Sequence, residues 1–403
     1  MRALLVAAVV LAGGAPAAHH GRVAFVSHGR LSLLDGRLRR LPVVAGHTPQ
    51  APSFSPDGRW LAYLETATGA PSSELWLARS DGSHARRVAS TVAVVGWAAD
   101  GSLAVTTRTA VLLVGPNGAT RTLARASFVQ GAVLSPDRTE IAVATVGLPR
   151  GRSTLVAYRI ADGRKTQWYS LDPRRDRLNG MRQIIIDPAA WSAAGIGFWV
   201  YGDGMVHNND AAPFDLIAVP GARPHLLEKT LSDRVTKAVA TARNGHIALV
   251  GDHGGGRVAW QDKVVAVCAP PAPCRDVPTA PSSVTVDPAW SPDGRTLAFV
   301  RAPNLTSSGW PQPLLRRWYD AHRLWLYDTV TGKTRELPKA RGATVPVWSS
   351  DGRALFYEAH NALWLLPALD ADPIRLASPL FAGDWPAYYG QVAWSRQFAW
   401  SSG

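Results

Sequence analysis

The stretch Pro288-Ala-Trp-Ser-Pro-Asp-Gly-Arg-Thr-Leu-Ala-Phe-Val300 decides the fold of this 403-residue chain. Its first residues form a short apolar run centred on Trp290, and Ser291-Pro-Asp-Gly294 follows with the residue types that tight turns favour. Arg295–Val300 is then rich in residues that favour β-strands. Two such runs joined by four turn residues predict a β-hairpin.

Variants of this hairpin recur along the chain at spacings of about 37 to 58 residues, the scale expected of propeller blades. The first strands of the second to eighth repeat units are predicted near Ala51, Val94, Gln130, Asp187, Lys237, Pro288 and Val345. In the sixth unit, Arg257–Trp260 is the predicted third strand. The only helical structure expected is a short turn near Pro313–Arg316.

The two ends of the chain complement each other. Three predicted strands that start at Arg22 lack a first strand, whereas Gly390–Ser395 is a first strand with nothing after it to complete a unit. Pairing them would close a ring and leave no exposed sheet edge. We therefore predict an all-β fold, a β-propeller of four-stranded antiparallel blades closed by its N-terminal strands pairing with the C-terminal strand. Eight blades are favoured and seven is the alternative, with residues 22–400 forming a single domain.

The first 17 residues are predicted to be a signal peptide. Arg2 precedes the uninterrupted apolar run Ala3–Ala12, and Ala15-Pro16-Ala17 offers the small residues of a cleavage site. The apolar run is too short to span a bilayer. We therefore expect an extracytoplasmic location, either secreted or in the periplasmic or cell-wall space, without stable membrane insertion.

The cysteine content agrees with export. Cys268 and Cys274 are the only two cysteines, and they bracket a short proline-rich loop. In an oxidising compartment this spacing predicts a disulfide, with two free thiols as the alternative.

The composition narrows the functional classes. With 46% hydrophobic and 18% charged residues, the chain can bury a large core and is not disordered. Its net charge of +13 permits an anionic partner, but the arginines are spread along the chain, which favours general solubility instead. No Walker loop, HExxH or EF-hand pattern occurs, so we expect no cofactor and no metal. Nucleic acid is not expected as a partner.

Three pairs of segments resemble the WD-like repeats of TolB-type β-propellers. They are FSPDGRWLAYL (54–64) with ELWLARSDG (74–82), WSPDGRTLAFV (290–300) with RLWLYDTVTG (323–332), and WSSDGRALFYE (348–358) with ALWLLPA (362–368). The resemblance implies the fold but not one function, because such propellers occur as periplasmic binding scaffolds, as extracellular proteins of unknown role and as gating domains of prolyl-oligopeptidase-type hydrolases. No extra N-terminal domain is expected, so a role in the Tol system is not implied.

The hydrolase possibility can be checked against the sequence. Serine peptidases of that type need a G-x-S-x-G nucleophile elbow in a C-terminal α/β domain. The chain contains no such motif, and propeller strands are predicted up to Trp400.

Function is expected in the loops that interrupt the repeat. The longest such insertions, 302–322 and 172–187, together with a third near His207, should open onto one face of a propeller, here called the insertion face. Arginines beside aromatic residues suit carboxylates, phosphates or sugar acids, although solvated insertions packing over the rim are the alternative. The candidate ligand-binding residues are Trp310, Arg316, Arg317, Trp318, Tyr319, His322, Arg174, Arg175, Arg177 and His207.

Other patterns fit architecture better than chemistry. The tryptophans that recur at equivalent strand positions are predicted to pack between blades, and the repeated Asp-Gly pairs are predicted to form turns rather than calcium sites. Asp187 and Asp287, each followed by proline, are expected to shape the entry to a strand, with a ligand role as the alternative.

These observations predict a secreted, non-enzymatic β-propeller scaffold for a protein, a peptide or a cell-wall-associated ligand such as an anionic glycan. A monomer is expected. The alternative is a propeller hydrolase or lyase that acts on a glycan or a small ester through residues such as His207, Asp210 and His322.

Overall fold

A computed structural model describes residues 21–35, 37–147, 151–172, 184–202, 212–230, 238–254, 258–305, 312–380 and 397–401. These residues form antiparallel β-sheets and one α-helix. Within them, no helix is long and apolar enough to cross a membrane. The predicted signal peptide at 1–17 lies outside the described residues.

The described strands form six four-stranded sheets and one eight-stranded sheet. The eight-stranded sheet consists of two four-stranded groups joined by a single pair, Thr230 with Gly251. Eight four-stranded units therefore follow one another, in the order that the sequence repeats predict. The arrangement is consistent with a β-propeller of seven or eight blades.

The first four units share a meander order, in which each strand pairs with the next. Unit 1 contains β1 (Arg22–Ser27), β2 (Arg30–Leu34) and β3 (Leu38–Arg40); unit 2 contains β4 (His47–Phe54), β5 (Trp60–Ala67), β6 (Ser73–Arg79) and β7 (Arg86–Thr91). Unit 3 contains β8 (Ala93–Trp97), β9 (Leu103–Thr106), β10 (Ala110–Val114) and β11 (Thr120–Arg125); unit 4 contains β12 (Val129–Leu134), β13 (Glu140–Val146), β14 (Ser153–Arg159) and β15 (Lys165–Leu171).

The last four units follow the same order, and α1 interrupts the seventh. Unit 5 contains β16 (Ile184–Ser192), β17 (Gly195–Gly202), β18 (Ala212–Ile217) and β19 (His225–Thr230); unit 6 contains β20 (Val239–Thr241), β21 (Ile247–Asp252), β22 (Lys263–Cys268) and β23 (Arg275–Asp276). Unit 7 contains β24 (Ser283–Trp290), β25 (Thr296–Pro303), α1 (Gln312–Asp320), β26 (Arg323–Asp328) and β27 (Thr334–Arg341); unit 8 contains β28 (Thr344–Trp348), β29 (Leu355–Ala359), β30 (Ala362–Leu366) and β31 (Ile374–Ala377).

The Ser-Pro-Asp-Gly turn of unit 7 shows why the first hairpin forms. Ser291 Oγ donates to Asp293 Oδ1 at 2.5 Å and accepts from the backbone N–H of Thr296 at 2.9 Å. Gly294 adopts a φ of 69°, which glycine reaches without strain. The hydrogen bond from Ser291 lowers the pKa of Asp293, which keeps the carboxylate charged within the turn. Equivalent networks surround Ser55, Ser135 and Ser349.

Tryptophans at the ends of first strands join neighbouring units. Trp290 Nε1 donates to Ala240 O of unit 6 at 3.1 Å, and Trp348 Nε1 donates to Ala289 O of unit 7 at 3.0 Å. Each indole therefore packs in the core between two sheets and satisfies its polar atom on the preceding sheet. For Trp290 and Trp348, this is the packing between units that their repeated position predicts.

First strands in units 2, 7 and 8 contain a β-bulge immediately before proline. Ala51, Asp287 and Val345 have φ values of 51°, 55° and 45°, and the strand register shifts at each of these places. Positive φ is uncommon for residues other than glycine, and a bulge redirects the side chain at that position.

The last described strand completes unit 1. Strand β32 (Phe398–Ser401) pairs antiparallel with β1, placing Phe398 opposite Phe25. Phe398 is buried, and the Trp400 ring lies 5.5 Å from the Phe356 ring of unit 8. The first and last strands therefore meet as predicted, but the strand begins at Phe398. The expected strand at Gly390–Ser395 lies outside the described residues.

Unit 6 departs from the prediction at its third strand. That strand is Lys263–Cys268, and Trp260, which was expected within it, lies fully buried in the preceding turn. The predicted Cys268–Cys274 disulfide is present and closes the loop between β22 and β23.

Candidate functional site

Helix α1 lies in the insertion between β25 and β26 and is longer than the short turn expected from the sequence. Pro313 falls in the first turn, where the missing N–H costs no helical hydrogen bond. Leu315, Trp318 and Tyr319 follow the three- and four-residue spacing of one helix side, and all three are buried.

The buried side of α1 is anchored on two units. Trp318 Nε1 donates to Pro303 O at the end of β25, at 2.9 Å. The Trp318 ring meets Trp260 of unit 6 edge to face, with ring centres 6.3 Å apart. Leu315 belongs to the same hydrophobic core cluster. This packing holds the helix in one orientation against units 6 and 7.

The outer side of α1 carries Arg316 and Arg317, which are exposed. Asp320 at the end of the helix is also exposed and forms an ion pair with His360 of unit 8, with Nδ1 and Oδ1 3.0 Å apart. His360 and Asn361 form the tip of the hairpin between β29 and β30, both at positive φ. The helix is therefore linked to unit 8 at the surface as well as in the core.

Four titratable side chains meet beneath α1. Asp287, Tyr319, His322 and Glu358 expose 4%, 3%, 1% and 1% of their surface. The His322 ring lies 4.8 Å from the Tyr319 ring, and its Nδ1 lies 3.2 Å from Ala343 O, the position of a donor. These four residues are called the buried polar cluster below.

Burial favours the neutral forms of three members of this cluster, Glu358, His322 and Tyr319. It raises the pKa of Glu358 well above the usual range, with the charge of Asp287 adding to the effect. Burial also lowers the pKa of His322 to about 3 and, with Asp287 and Glu358 nearby, raises that of Tyr319 well above its usual value. Within the described part of the chain, neither Glu358 oxygen nor His322 Nε2 has a hydrogen-bond partner. Buried polar atoms without a hydrogen-bond partner are unusual in protein interiors.

The sequence reasoning overlooked Glu358. It lies nine residues after Ser349 of the Ser-Ser-Asp-Gly turn, and Leu64 and Val300 occupy the matching places in units 2 and 7. A charged residue at a core position of the repeat is the signal that could have identified it.

Five of the ten predicted ligand-binding residues are described by the structure. Trp318, Tyr319 and His322 come together, but in the core, because the helix turns this side toward units 6 and 7. Their burial supports α1 and keeps them from contact with a ligand at the surface. Arg316 and Arg317 remain candidates. The other five predicted residues, Trp310, Arg174, Arg175, Arg177 and His207, lie outside the described residues.

The carboxylates of Asp187 and Asp287 form hydrogen bonds within the fold. Asp187 Oδ2 accepts from the Tyr201 hydroxyl at 2.5 Å, and Gln130 of unit 4 donates to the same hydroxyl at 3.1 Å. Asp287 Oδ2 accepts from Thr344 Oγ1 at 2.6 Å and from Val345 N at 3.1 Å, both in unit 8. These bonds agree with the expected shaping role. Across the described ranges, no group of three or more His, Cys, Asp or Glu side chains could hold a metal ion.

Comparison with known sequences does not establish a family for this chain. No family model matches the chain. An uncharacterized peptidase, YuxL of Bacillus subtilis strain 168, is 36% identical over 72 residues, which is 18% of this chain and 9% of that protein. The match therefore spans a small part of the relative and does not transfer its activity.

Comparison with solved structures supports the fold. Porphyromonas gingivalis dipeptidyl peptidase 4 is 10% identical with a TM-score of 0.53, over 90% of this chain and 60% of that one. A eukaryotic initiation factor is 15% identical with a TM-score of 0.52, over 88% of this chain and 84% of that one. At these identities the similarity concerns the fold alone, and it agrees with the propeller arrangement of the units.

Proposed function

We propose that this chain is an exported, non-enzymatic TolB-like β-propeller scaffold with eight blades in one domain, 22–400, which acts as a monomer. The eight four-stranded units and the pairing of β1 with β32 support eight blades. The disulfide supports an oxidising, extracytoplasmic location. The scaffold binds a protein, a peptide or a wall-associated anionic glycan at the insertion face.

The observation that carries this proposal is the anchored helix α1. Its buried side is held by Trp318, and Arg316 and Arg317 project from its outer side at adjacent positions. Guanidinium groups form forked hydrogen bonds to carboxylates and phosphates. Because the helix backbone is already ordered, binding there costs less conformational entropy than ordering a free loop would.

The test replaces both arginines and measures binding to one defined partner. The purified protein is used to capture partners from the extracytoplasmic fraction of its host, and one identified protein or glycan is then purified and titrated directly. Arg316→Glu with Arg317→Glu should weaken that binding at least tenfold, because two attractive charges become repulsive. Arg335→Glu, an exposed charge reversal on β27 of the same unit, is the matched control and should not change it. Equal affinity of the double variant and the control would refute the proposed face.

A second candidate function is catalysis, which the short match to a peptidase-named protein favours. The chain has no G-x-S-x-G motif, and His322 is too deeply buried to reach a substrate in this conformation. Turnover of a peptide, an ester or a glycan by purified protein, abolished by replacing a residue of the insertion face, would establish an enzyme. Absence of turnover on such a panel would leave the scaffold as the better proposal.

A further inference from the structure

A cavity of about 480 Å³ opens where units 1 and 2 meet, well apart in sequence from α1. It lies at the turn between β1 and β2 and along the connection from β3 to β4. Because each unit is an antiparallel meander, both connections lie at the same end of the sheets. Its lining residues are Gly29, Arg30, Arg40, Leu41, Val43, Val44, Ala45, Gly46 and His47. Neither the repeat pattern nor the candidate site accounts for this set.

The strand register brings the two arginines together. Strands β2 and β3 are antiparallel, and Ser32 lies opposite Arg40. Arg30 is two residues before Ser32, so Arg30 and Arg40 project from the same side of the sheet as diagonal neighbours. Both are exposed and both line the cavity. Within the described ranges, neither guanidinium forms an ion pair or a hydrogen bond, although each carries a full positive charge.

The rest of the lining is largely a fixed loop, residues 41–47. Leu41 is buried and its N–H donates to Leu31 O at 2.9 Å. The next turn closes through His47 N donating to Val44 O at 3.0 Å, with Gly46 at a φ of 79°. Together with Leu41, Val43 and Val44 give this loop an apolar surface.

A buried carboxyl group fixes the same loop from below. Val44 N donates to Glu65 Oε2 at 3.1 Å, and the Glu65 side chain is only 1% exposed. His47 Nδ1 is buried and lies 3.8 Å from Glu65 Oε2 and 3.9 Å from Glu74 Oε2. The exposed 18% of the His47 side chain therefore belongs to atoms other than Nδ1.

We propose that this cavity binds a small ligand that carries a carboxylate, which Arg30 and Arg40 hold while the apolar loop contacts the rest of the molecule. The volume is in the range of small-ligand sites. Unpaired guanidinium groups at diagonal positions are suited to the two oxygens of one carboxylate. This proposal does not depend on α1.

The test is calorimetric titration at low ionic strength with pairs of ligands that differ in charge. Glucuronate is compared with glucose, and N-acetyl-dialanine is compared with its C-terminal amide. The carboxylate of at least one pair should bind, its neutral partner should bind at least tenfold more weakly, and added salt should weaken the binding. The pair that responds shows whether the ligand is a sugar acid or a peptide carboxylate.

Substitutions of the two lining arginines test whether the ligand binds in this cavity. Arg30→Gln and Arg40→Gln should each weaken binding about 10- to 100-fold, the loss expected for a charged hydrogen bond. Arg39→Gln is the matched control, because Arg39 is the neighbour on β3, pairs with Asp35 and is not part of the cavity lining. Thermal denaturation should be the same for all three variants, since the side chains are exposed.

Three results would overturn the proposal. They are the absence of saturable binding for both carboxylate ligands, equal affinity of the Arg39→Gln and Arg40→Gln variants for a carboxylate ligand, and tighter binding of inorganic phosphate than of any carboxylate. Because Arg316 and Arg317 are intact in these variants, failure here leaves the proposed function of the insertion face separately testable.

Discussion

Replacing Glu358 by glutamine should remove a pH dependence from the stability of the protein. Burial raises the folded-state pKa of Glu358 well above the 4.5 of an unfolded chain, and Asp287 adds to this. Between those two pKa values, the folded protein holds a proton that the unfolded chain has lost. Stability therefore falls as pH rises above about 4.5, by about 1.4 kcal/mol per pH unit, until the folded pKa is reached.

The assay is urea denaturation, followed by tryptophan fluorescence, at pH 5, 6, 7 and 8 for the wild type and Glu358→Gln. The free energy of unfolding of the wild type minus that of the variant should become steadily more negative with increasing pH, at up to about 1.4 kcal/mol per pH unit. Glutamine is neutral and similar in shape, so its own cost is the same at each pH. Asp287, Tyr319 and His322 face the same space and are present in both proteins, so the difference isolates Glu358.

A control and a refuting result complete the experiment. Glu140→Gln, at the start of β13, makes the same substitution at a half-buried carboxylate outside the buried polar cluster and serves as the control for the chemical change itself. If the difference between wild type and Glu358→Gln stays constant from pH 5 to 8, Glu358 is not held neutral, and the account of the buried polar cluster is wrong.

Three further changes follow from the same structure. Burial lowers the pKa of His322 to about 3, so the wild type should lose stability as pH falls from about 6.5. In His322→Gln, the midpoint of thermal denaturation should change less between pH 7 and pH 4 than it does in the wild type. Replacing both Cys268 and Cys274 by serine should lower the free energy of unfolding by about 2 kcal/mol, and a reducing agent should do the same to the wild type but not to the variant. Phe398→Ala, which truncates a buried side chain of β32, should cost about 3 to 5 kcal/mol in urea denaturation, and a loss below 1 kcal/mol would contradict its role in holding β32 against β1.

Sequence alone predicted the features that depend on local chemistry. The Ser291–Gly294 turn forms through hydrogen bonds among adjacent residues, so its composition is enough to recognise it. The repeated position of Trp290 and Trp348 was enough to assign them to packing between units, although their carbonyl partners on the preceding unit were not predictable.

The features that depend on distant contacts were not predictable in the same way. Trp260 was placed in a strand because its neighbours are apolar, whereas in the structure it fills the space beneath Trp318, 58 residues further along the chain by their numbering. Glu358 likewise lies close to Asp287 and Tyr319 of unit 7, which are distant from it in sequence. The cavity at Arg30 and Arg40 results from a strand register that residue types do not specify.

The bulges before proline in the first strands have a consequence for how such a molecule can evolve. In an unbroken strand, alternate side chains point into the core, so a substitution at one of these positions disturbs the packing of its sheet. The bulged residue does not follow this alternation. The Asp287 side chain is therefore free of the strand pattern and accepts hydrogen bonds from Thr344 and Val345 of the next unit. A substitution at Asp287 can thus change how units 7 and 8 are connected while each unit keeps its own hydrophobic pattern, and Ala51 and Val345 occupy the same bulged position in units 2 and 8. Duplicated units could in this way diverge one junction at a time.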